Sequence, residues 1–279
     1  MRVGYLGPEG TFTQEAMLAS GLPEGGEPHP LPTVHDTVMA VHDGTVGRAL
    51  VPIENSLEGS VNDTLDTLAS DATDVRIVGE VVHPITQCLI AREGVAAQDV
   101  ETVVSMPQAS AQCARFLRAA LPAAAIVPAN STADAVRTVA ASDAPWAALG
   151  TALSAQLYGC AVLQEGVEDV AGNETRFVWL ARAGEDDVLA GGGAPKTSVV
   201  FWGPGDDSPG WLVRCLSEFA FRGVNLTKIE SRPRRGRLGH YLFHIDMDGR
   251  ADETMVADAV RALHSHCEVV RLLGSYPAA

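Results

Sequence analysis

Val51-Pro-Ile-Glu-Asn-Ser56 places an acid, an amide and a hydroxyl between a short apolar strand, Arg48 to Ile53, and a helix opened by Ser60-Val-Asn-Asp63. In open α/β sheets the crevice at the carboxyl ends of the strands is where ligands bind. Taken alone, the hexapeptide favours a plainer reading, a turn at Asn55 and Ser56 with Glu54 in water. The recurrence of this construction along the chain is what separates the two readings.

Upstream, Arg2 to Leu6 reads as a strand, and Thr11 with Gln14 has capping-box spacing ahead of a helix from Phe12 to Ser20. Gly4, Gly7 and Gly10 do not make G-x-G-x-x-G, so no dinucleotide fingerprint is present. Gly21 to Pro32 is expected to be loop. Thr33 to Asp43 is expected to be a helix with Val34, Val38 and Val41 on one face, and Val61 to Leu68 another with Val61, Leu65 and Leu68 inward.

Downstream, strands at Arg76–Val82 and Ile85–Ala91 lead into a second lobe. Its strands are Glu101–Ser105, Ala125–Ala129, Trp146–Leu149 and one near Val162, with a helix near Ala152–Tyr158. Ser105 and Gln108 repeat the capping-box spacing before a helix carrying Cys113, Phe116, Leu117 and Ala120, and Ser131-Thr-Ala-Asp134 caps the next. Thr175 to Leu180 is a strand returning to the first lobe. Hydroxyls therefore stand at four strand-to-helix junctions: Thr11, Asn55/Ser56, Ser105 and Ser131/Thr132. Any one of them is an ordinary N-cap. Four together predict a two-lobed cleft that holds a small anion on helix N-termini.

Composition narrows the chemistry. Of 279 residues 46% are apolar, so a packed core is expected, with no run long enough to span a bilayer. The N-terminus enters a strand without a signal-type apolar region, so the chain is expected to be cytoplasmic and free of membrane. A net charge of −15 argues against a nucleic-acid partner. The five cysteines are widely spaced and never in a C-x-x-C pair, so reduced core thiols are expected and a metal site is not. The two lysines, Lys196 and Lys228, leave residues 1–182 with none, which removes a Walker-type phosphate loop and a Schiff-base lysine from that part.

Residues 184–195, acidic and then glycine-rich, read as a linker. Beyond them come a strand (Thr197–Trp202), a helix from Ser208-Pro209 to Gly223, two strands (Val224–Arg232 and His240–Met247), a helix through Val256, Val260 and Leu263, and a strand (Glu268–Leu273). This βαββαβ order is that of a ferredoxin-like unit. The basic cluster Arg232 to Arg237 falls at a hairpin tip and is expected to be solvated.

Gly7-Pro-Glu-Gly-Thr-Phe12, Val51-Pro-Ile-Glu-Asn-Ser56 with Gly59 and Thr64-Leu-Asp66, and Asn173-Glu-Thr-Arg-Phe177 resemble the motifs of the prephenate dehydratase family. Thr227-Lys-Ile-Glu-Ser-Arg-Pro233 resembles the effector motif of that family's C-terminal ACT domain. The resemblance spans nearly the whole chain. It is to the monofunctional form, with no chorismate mutase region before residue 2.

The resemblance implies an α/β fold: a two-lobed, periplasmic-binding-protein-like catalytic domain followed by a ferredoxin-like (ACT) domain. The expected division is 1–182 for catalysis (lobe one about 1–80 and 165–182, lobe two about 81–164), 183–195 as linker and 196–279 for regulation. The implied reaction converts prephenate to phenylpyruvate, water and carbon dioxide, driven by aromatisation and needing no cofactor. L-Phenylalanine is the implied effector, and paired ACT domains imply a homodimer or homotetramer.

By the same resemblance Thr175 stands at the departing hydroxyl, where a hydrogen bond is more credible than full proton transfer because threonine is a very weak acid. Glu54 is a proton source if burial raises its pKa, and Asn55 acts beside it. Thr11, Ser56, Ser105, Gln112 and Thr132 are expected to orient the substrate, with Phe177 beside it. Arg176 either pairs with a carboxylate or, next to an inward Thr175, points away. The effector is expected at Gly210, Leu212, Asn225, Glu230 and Ser231. Met106 and Gln87 stand where the family usually has histidine, and Trp211 where alanine is typical. The rivals are an arogenate dehydratase, acting on the amino analogue, and a non-catalytic amino-acid sensor. The intact Glu54-Asn55-Ser56 and Thr175-Arg176-Phe177 argue against the sensor.

Overall fold

The computed structural model describes residues 1–185, 191–203, 208–234 and 238–279. Residues 186–190 of the expected linker and 235–237 of the basic cluster lie outside the described residues. The chain opens β1 (Arg2–Leu6), α1 (Phe12–Ser20), β2 (Glu27–Leu31), α2 (Val34–His42), β3 (Arg48–Asn55), β4 (Gly59–Ser60), α3 (Asn62–Ser70) and β5 (Val75–Pro84). It then crosses into β6 (Cys88–Arg92), β7 (Thr102–Ser105), α4 (Pro107–Gln112), α5 (Ala114–Ala120), β8 (Ala125–Pro128), α6 (Thr132–Ala140), β9 (Trp146–Gly150), α7 (Ala152–Leu157) and β10 (Cys160–Glu165). β11 (Glu174–Arg182) returns to the first sheet. The C-terminal unit is β12 (Pro195–Trp202), α8 (Trp211–Ala220), β13 (Leu226–Pro233), β14 (Tyr241–Asp248), α9 (Thr254–Leu263) and β15 (Val269–Pro277).

Residues 21–32, expected as loop, contain β2, which pairs in parallel with β1. Two prolines do not prevent this because of where their nitrogens point. Glu27 N–H bonds to Met1 O at 2.8 Å, so Glu27, His29 and Leu31 direct their amides at β1 while Pro28 and Pro30 face outward, where no donor is needed. The helix expected after Ser105 is bent at Cys113 into α4 and α5. Asp169 caps the new start: its carboxylate accepts from the Arg115 and Phe116 amides, at 2.8 and 3.2 Å. Burial works against that carboxylate, but the amides outweigh it and its pKa is lowered.

Strand order produces two sheets. Five strands, β10-β6-β9-β7-β8, form the second lobe. The other sheet has ten, with β4 paired to β3 and the order β13-β14-β12-β15-β5-β11-β3-β1-β2. Its C-terminal part keeps ferredoxin-like order, yet no gap separates it from the first lobe: β15 lies parallel to β5, with Gly274 opposite Ile77. A Cβ at Gly274 would overlap the Ile77 carbonyl oxygen, so glycine is needed for the approach.

One apolar core crosses this join. Leu65, Leu68 and Val178 of the first lobe share a cluster with Val200, Leu242, Leu273 and Tyr276 of the C-terminal unit. Helices α8 and α9 cover the opposite face of that unit through Trp211, Phe219, Val256 and Leu263. No helix among the described residues is long and apolar enough to cross a membrane.

Candidate active site

A cleft of about 900 Å³ opens between the two sheets. Leu6, Thr11, Phe12, Asn55, Thr175 and Phe177 line one wall, and Gln87, Met106, Gln112, Thr132, Arg137 and Tyr158 the other. Its centre is set by the pairing of β3 with β11. Thr175 lies opposite Asn55, then Arg176 opposite Glu54, then Phe177 opposite Pro52, with Ile53 skipped. This is a β-bulge, which re-aims side chains. Ile53 enters the core behind the sheet, and Glu54 points to the same back face. Parity is thereby restored so that Pro52, Asn55, Thr175 and Phe177 all face the cleft.

Asn55 is held in one orientation. Its Oδ1 accepts the Leu57 and Glu58 amides, each at 3.0 Å, as the chain turns towards β4. The Nδ2 group must then face β11, where it donates to Thr175 Oγ1 at 2.9 Å and to Asn173 Oδ1 at 2.8 Å. Because the Thr175 oxygen already accepts, its own proton is left to donate into the cleft.

Several sequence expectations are corrected here. Glu54 does not line the cleft; it sits behind the sheet, 3.1 Å from Arg176 Nη2 and 3.3 Å from Lys228 Nζ. Arg176 also points away, because neighbours on a strand face opposite sides, and it binds Glu80 and Asp246 as well. Ser56 supports the wall from outside, donating to Asn173 Oδ1 at 3.2 Å and accepting from the Glu174 amide at 3.0 Å. Ser105 ends β7 fully buried, bonded to Met106 O at 3.0 Å, and Met106 takes the cap position without a side-chain bond. Thr11, Gln112, Thr132 and Phe177 do line the cleft with Asn55 and Thr175.

Asn173 and Arg137 were not among the expected site residues, and Gln87 was singled out only as a departure from histidine. Buried Asn173 orients Asn55, and its only sequence signal was its place beside Thr175 in Asn173-Glu-Thr-Arg-Phe177. Gln87 reaches Gln112 at 3.5 Å across the second lobe. Arg137 is the one cation lining the cleft among the described residues, resting against Asp134 of the same helix. It is six residues, nearly two turns, beyond Ser131, whose Oγ caps α6 by accepting the Asp134 amide at 3.0 Å. That spacing from a cap was the available signal.

In the C-terminal unit a hollow of about 270 Å³ is lined by Gly210, Trp211, Leu212, Val213, Tyr241 and Phe243, among others. Trp211 is buried, donates to His266 O at 2.7 Å, and packs on Phe201 and Phe243. Gly210 and Leu212 line this hollow, but Glu230 does not. It faces the first lobe and accepts from Ser60 Oγ at 3.0 Å. Ser231 is exposed on the other face of β13, and Asn225 donates to Asp248 at 2.8 Å.

Comparison with known proteins gives consistent relatives. The profile of the prephenate dehydratase family matches residues 3–185. The chain is 44% identical to prephenate dehydratase of Mycobacterium tuberculosis over 285 residues, covering 99% of this chain and 87% of that one. Among solved structures, prephenate dehydratase of Arthrobacter aurescens in complex with L-Phe superposes with a TM-score of 0.89 at 40% identity, over 99% of this chain and 90% of that one. A structure of GqqA, described as a novel type of quorum-quenching acylase, superposes at 0.87 with 29% identity, over 100% and 98% of the two chains.

Proposed function

The chain belongs to the prephenate dehydratase family, and from that premise we propose how its cleft carries out the reaction and how its C-terminal unit controls it. The activity is the decarboxylative dehydration of prephenate to phenylpyruvate. One observation carries the mechanism: Asn55, fixed by two main-chain amides, donates to Thr175 Oγ1 and so turns the Thr175 proton towards the substrate. Negative charge builds on the ring hydroxyl as its C–O bond breaks. A donor already in place stabilises that charge without reorganising. Carbon dioxide leaves as the electrons of its C–C bond enter the ring, and the hydroxyl departs as hydroxide held by the Thr175 hydrogen bond, taking a proton from solvent to become water.

Phe12, Phe177 and Tyr158 supply flat apolar surface for the ring. Arg137 pairs with one substrate carboxylate by exchanging its contact with Asp134, and the open amides at the start of α6 assist. Thr11, Thr132 and Gln112 complete the polar lining. Among the described residues the lining holds no histidine, lysine or cysteine, so it offers no activated nucleophile of those types for the acylase chemistry named for the GqqA neighbour. Cys88 and Cys113 lie nearby in the core, where burial pushes their thiols up to about 11 and about 12.

For control, residues 1–182 form the catalytic part, 183–195 the linker and 196–279 an ACT regulatory domain taking L-phenylalanine at the hollow beside Gly210 and Leu212. The outer face of β13, with Ile229 half-exposed, and Phe221, 86% exposed, support pairing with a second copy, so that Asn225 and Ser231 meet the effector across the pair. Cysteines such as Cys88 and Cys113, packed as thiols in the apolar core, support a reducing, cytoplasmic setting. The test is phenylpyruvate formation from prephenate by purified protein, with and without phenylalanine, beside a parallel assay on arogenate. Turnover of prephenate that phenylalanine lowers is expected. Binding of prephenate without product would give the protein to the sensor reading, and faster turnover of arogenate would reassign the substrate.

A further inference from the structure

Directly behind Asn55 and Thr175 lies a seam of six charges. Arg176 Nη2 is 3.1 Å from Glu54 and 2.8 Å from Asp246, and Nη1 is 3.1 Å from Glu80. Lys228 Nζ is 3.3 Å from Glu54, and Lys196 Nζ is 2.6 Å from Glu80. Three carboxylates thus meet three cations, all but Glu54 largely shielded from solvent. Ser198 Oγ donates to the second oxygen of Asp246 at 2.6 Å. Burial pulls the Arg176 guanidinium down, but Asp246, Tyr276 and Glu80 outweigh it, and its pKa is raised.

The two sides of this seam have different origins. Glu54, Glu80 and Arg176 belong to the first-lobe strands β3, β5 and β11, whereas Lys196, Lys228 and Asp246 come from β12, β13 and β14 of the C-terminal unit, including both lysines of the chain. Buried ion pairs are a poor source of stability, since desolvation cancels most of their attraction. They are directional, however, and here they grip the bulge. Glu54 immediately precedes Asn55, and Arg176 immediately follows Thr175. A shift of either back-face side chain turns its strand and moves the hydrogen bond on the front.

We propose that Glu54 and Arg176 are positioning residues acting through Asn55 and Thr175, and that Asp246 and Lys228 complete them from the C-terminal unit, so that this unit takes part in turnover even without effector. The proposal rests on the reading of Thr175 as donor to the departing hydroxyl. It is tested in the full chain without phenylalanine, by measuring kcat and KM for prephenate in Asp246→Asn, Lys228→Gln and Lys228→Arg, each with Thr175 and with Thr175→Ala.

In the Thr175 background, kcat is expected to fall about tenfold in Asp246→Asn and Lys228→Gln while KM stays within about twofold, and Lys228→Arg is expected to recover most of the loss. In the Thr175→Ala background the same changes are expected to leave the residual rate unaltered, because there is no hydroxyl left to misdirect. Wild-type kcat in folded variants, a loss confined to KM, or an equal proportional loss without the Thr175 hydroxyl would each overturn the proposal. Should Asp246→Asn fail to fold, Lys228→Gln at the more open end of the seam decides by the same criteria. Wild-type turnover in Thr175→Ala alone would instead show that the Thr175 reading has failed, and the proposal would fall with it.

Discussion

At the scale of single residues, Thr175 and Asn55 act as one donor. Removing the hydroxyl in Thr175→Ala is expected to cut kcat by roughly 10²–10³-fold with KM little changed, the loss typical of one preorganised donor. Thr175→Ser keeps the oxygen and is expected to retain most activity; the phenylpyruvate assay checks both. Asn55→Ala should approach the Thr175→Ala rate, since an unguided hydroxyl can turn to other acceptors. His244 is a different case. It is buried behind the sheet with neither ring nitrogen bonded, and burial lowers its pKa from 6.5 to about 4 despite the nearby Asp246 and Asp66. Unfolded chain therefore takes up a proton below pH 6.5 that folded chain refuses until about pH 4. Stability from this group is fully present above pH 6.5 and is lost as pH falls through that window, by about 2 kcal/mol on going from pH 7.5 to 5. Urea unfolding at both pH values should show His244→Leu to be less acid-sensitive than wild type by that amount; equal sensitivity would show that His244 is not buried neutral.

Among elements, most helices and strands were legible because their apolar periods were clear, as in α2 with Val34, Val38 and Val41, and because hydroxyl caps marked α1 and α6. The bulge in β3 was not read, and it decides which of Glu54 and Asn55 enters the cleft. Regular alternation from Ile53, whose side chain lies behind the sheet, would have sent Glu54 forward. Pro52 was the overlooked sign, because a proline inside a strand that is not at an edge marks a bulge. Ser105 misled for a related reason: spacing from Gln108 suits a cap, but whether a serine ends the strand or starts the helix depends on tertiary placement. Across-lobe partners such as Asp169 under α5 carry no local pattern at all. Helix α6 offers the test at this scale, since it brings both its capped N-terminus and Arg137 to the cleft. Arg137→Gln is expected to raise KM for prephenate about tenfold with kcat nearly unchanged, the worth of one charge-assisted contact. An unchanged KM would remove Arg137 from substrate binding.

For the whole molecule, one sheet and one shared core run across both the catalytic part and the C-terminal unit. Calorimetry is expected to record a single unfolding transition, because Leu65 and Leu68 cannot lose Leu242 and Leu273 without opening both parts. Gly274→Val, which forces a side chain onto the Ile77 carbonyl, should lower stability by about 1–3 kcal/mol and split that transition in two. A variant that melts like wild type would mean that the β15–β5 join bears little of the load. The long sheet also has two unequal margins. Along β2, Pro28 and Pro30 present no amide to a newcomer, whereas β13 has no such block at residues 226–232. Strand addition can therefore proceed from one side only, and two molecules that meet there cap each other. Self-association by this route is finite: it ends at a pair with proline at both extremities and cannot run on into a fibre.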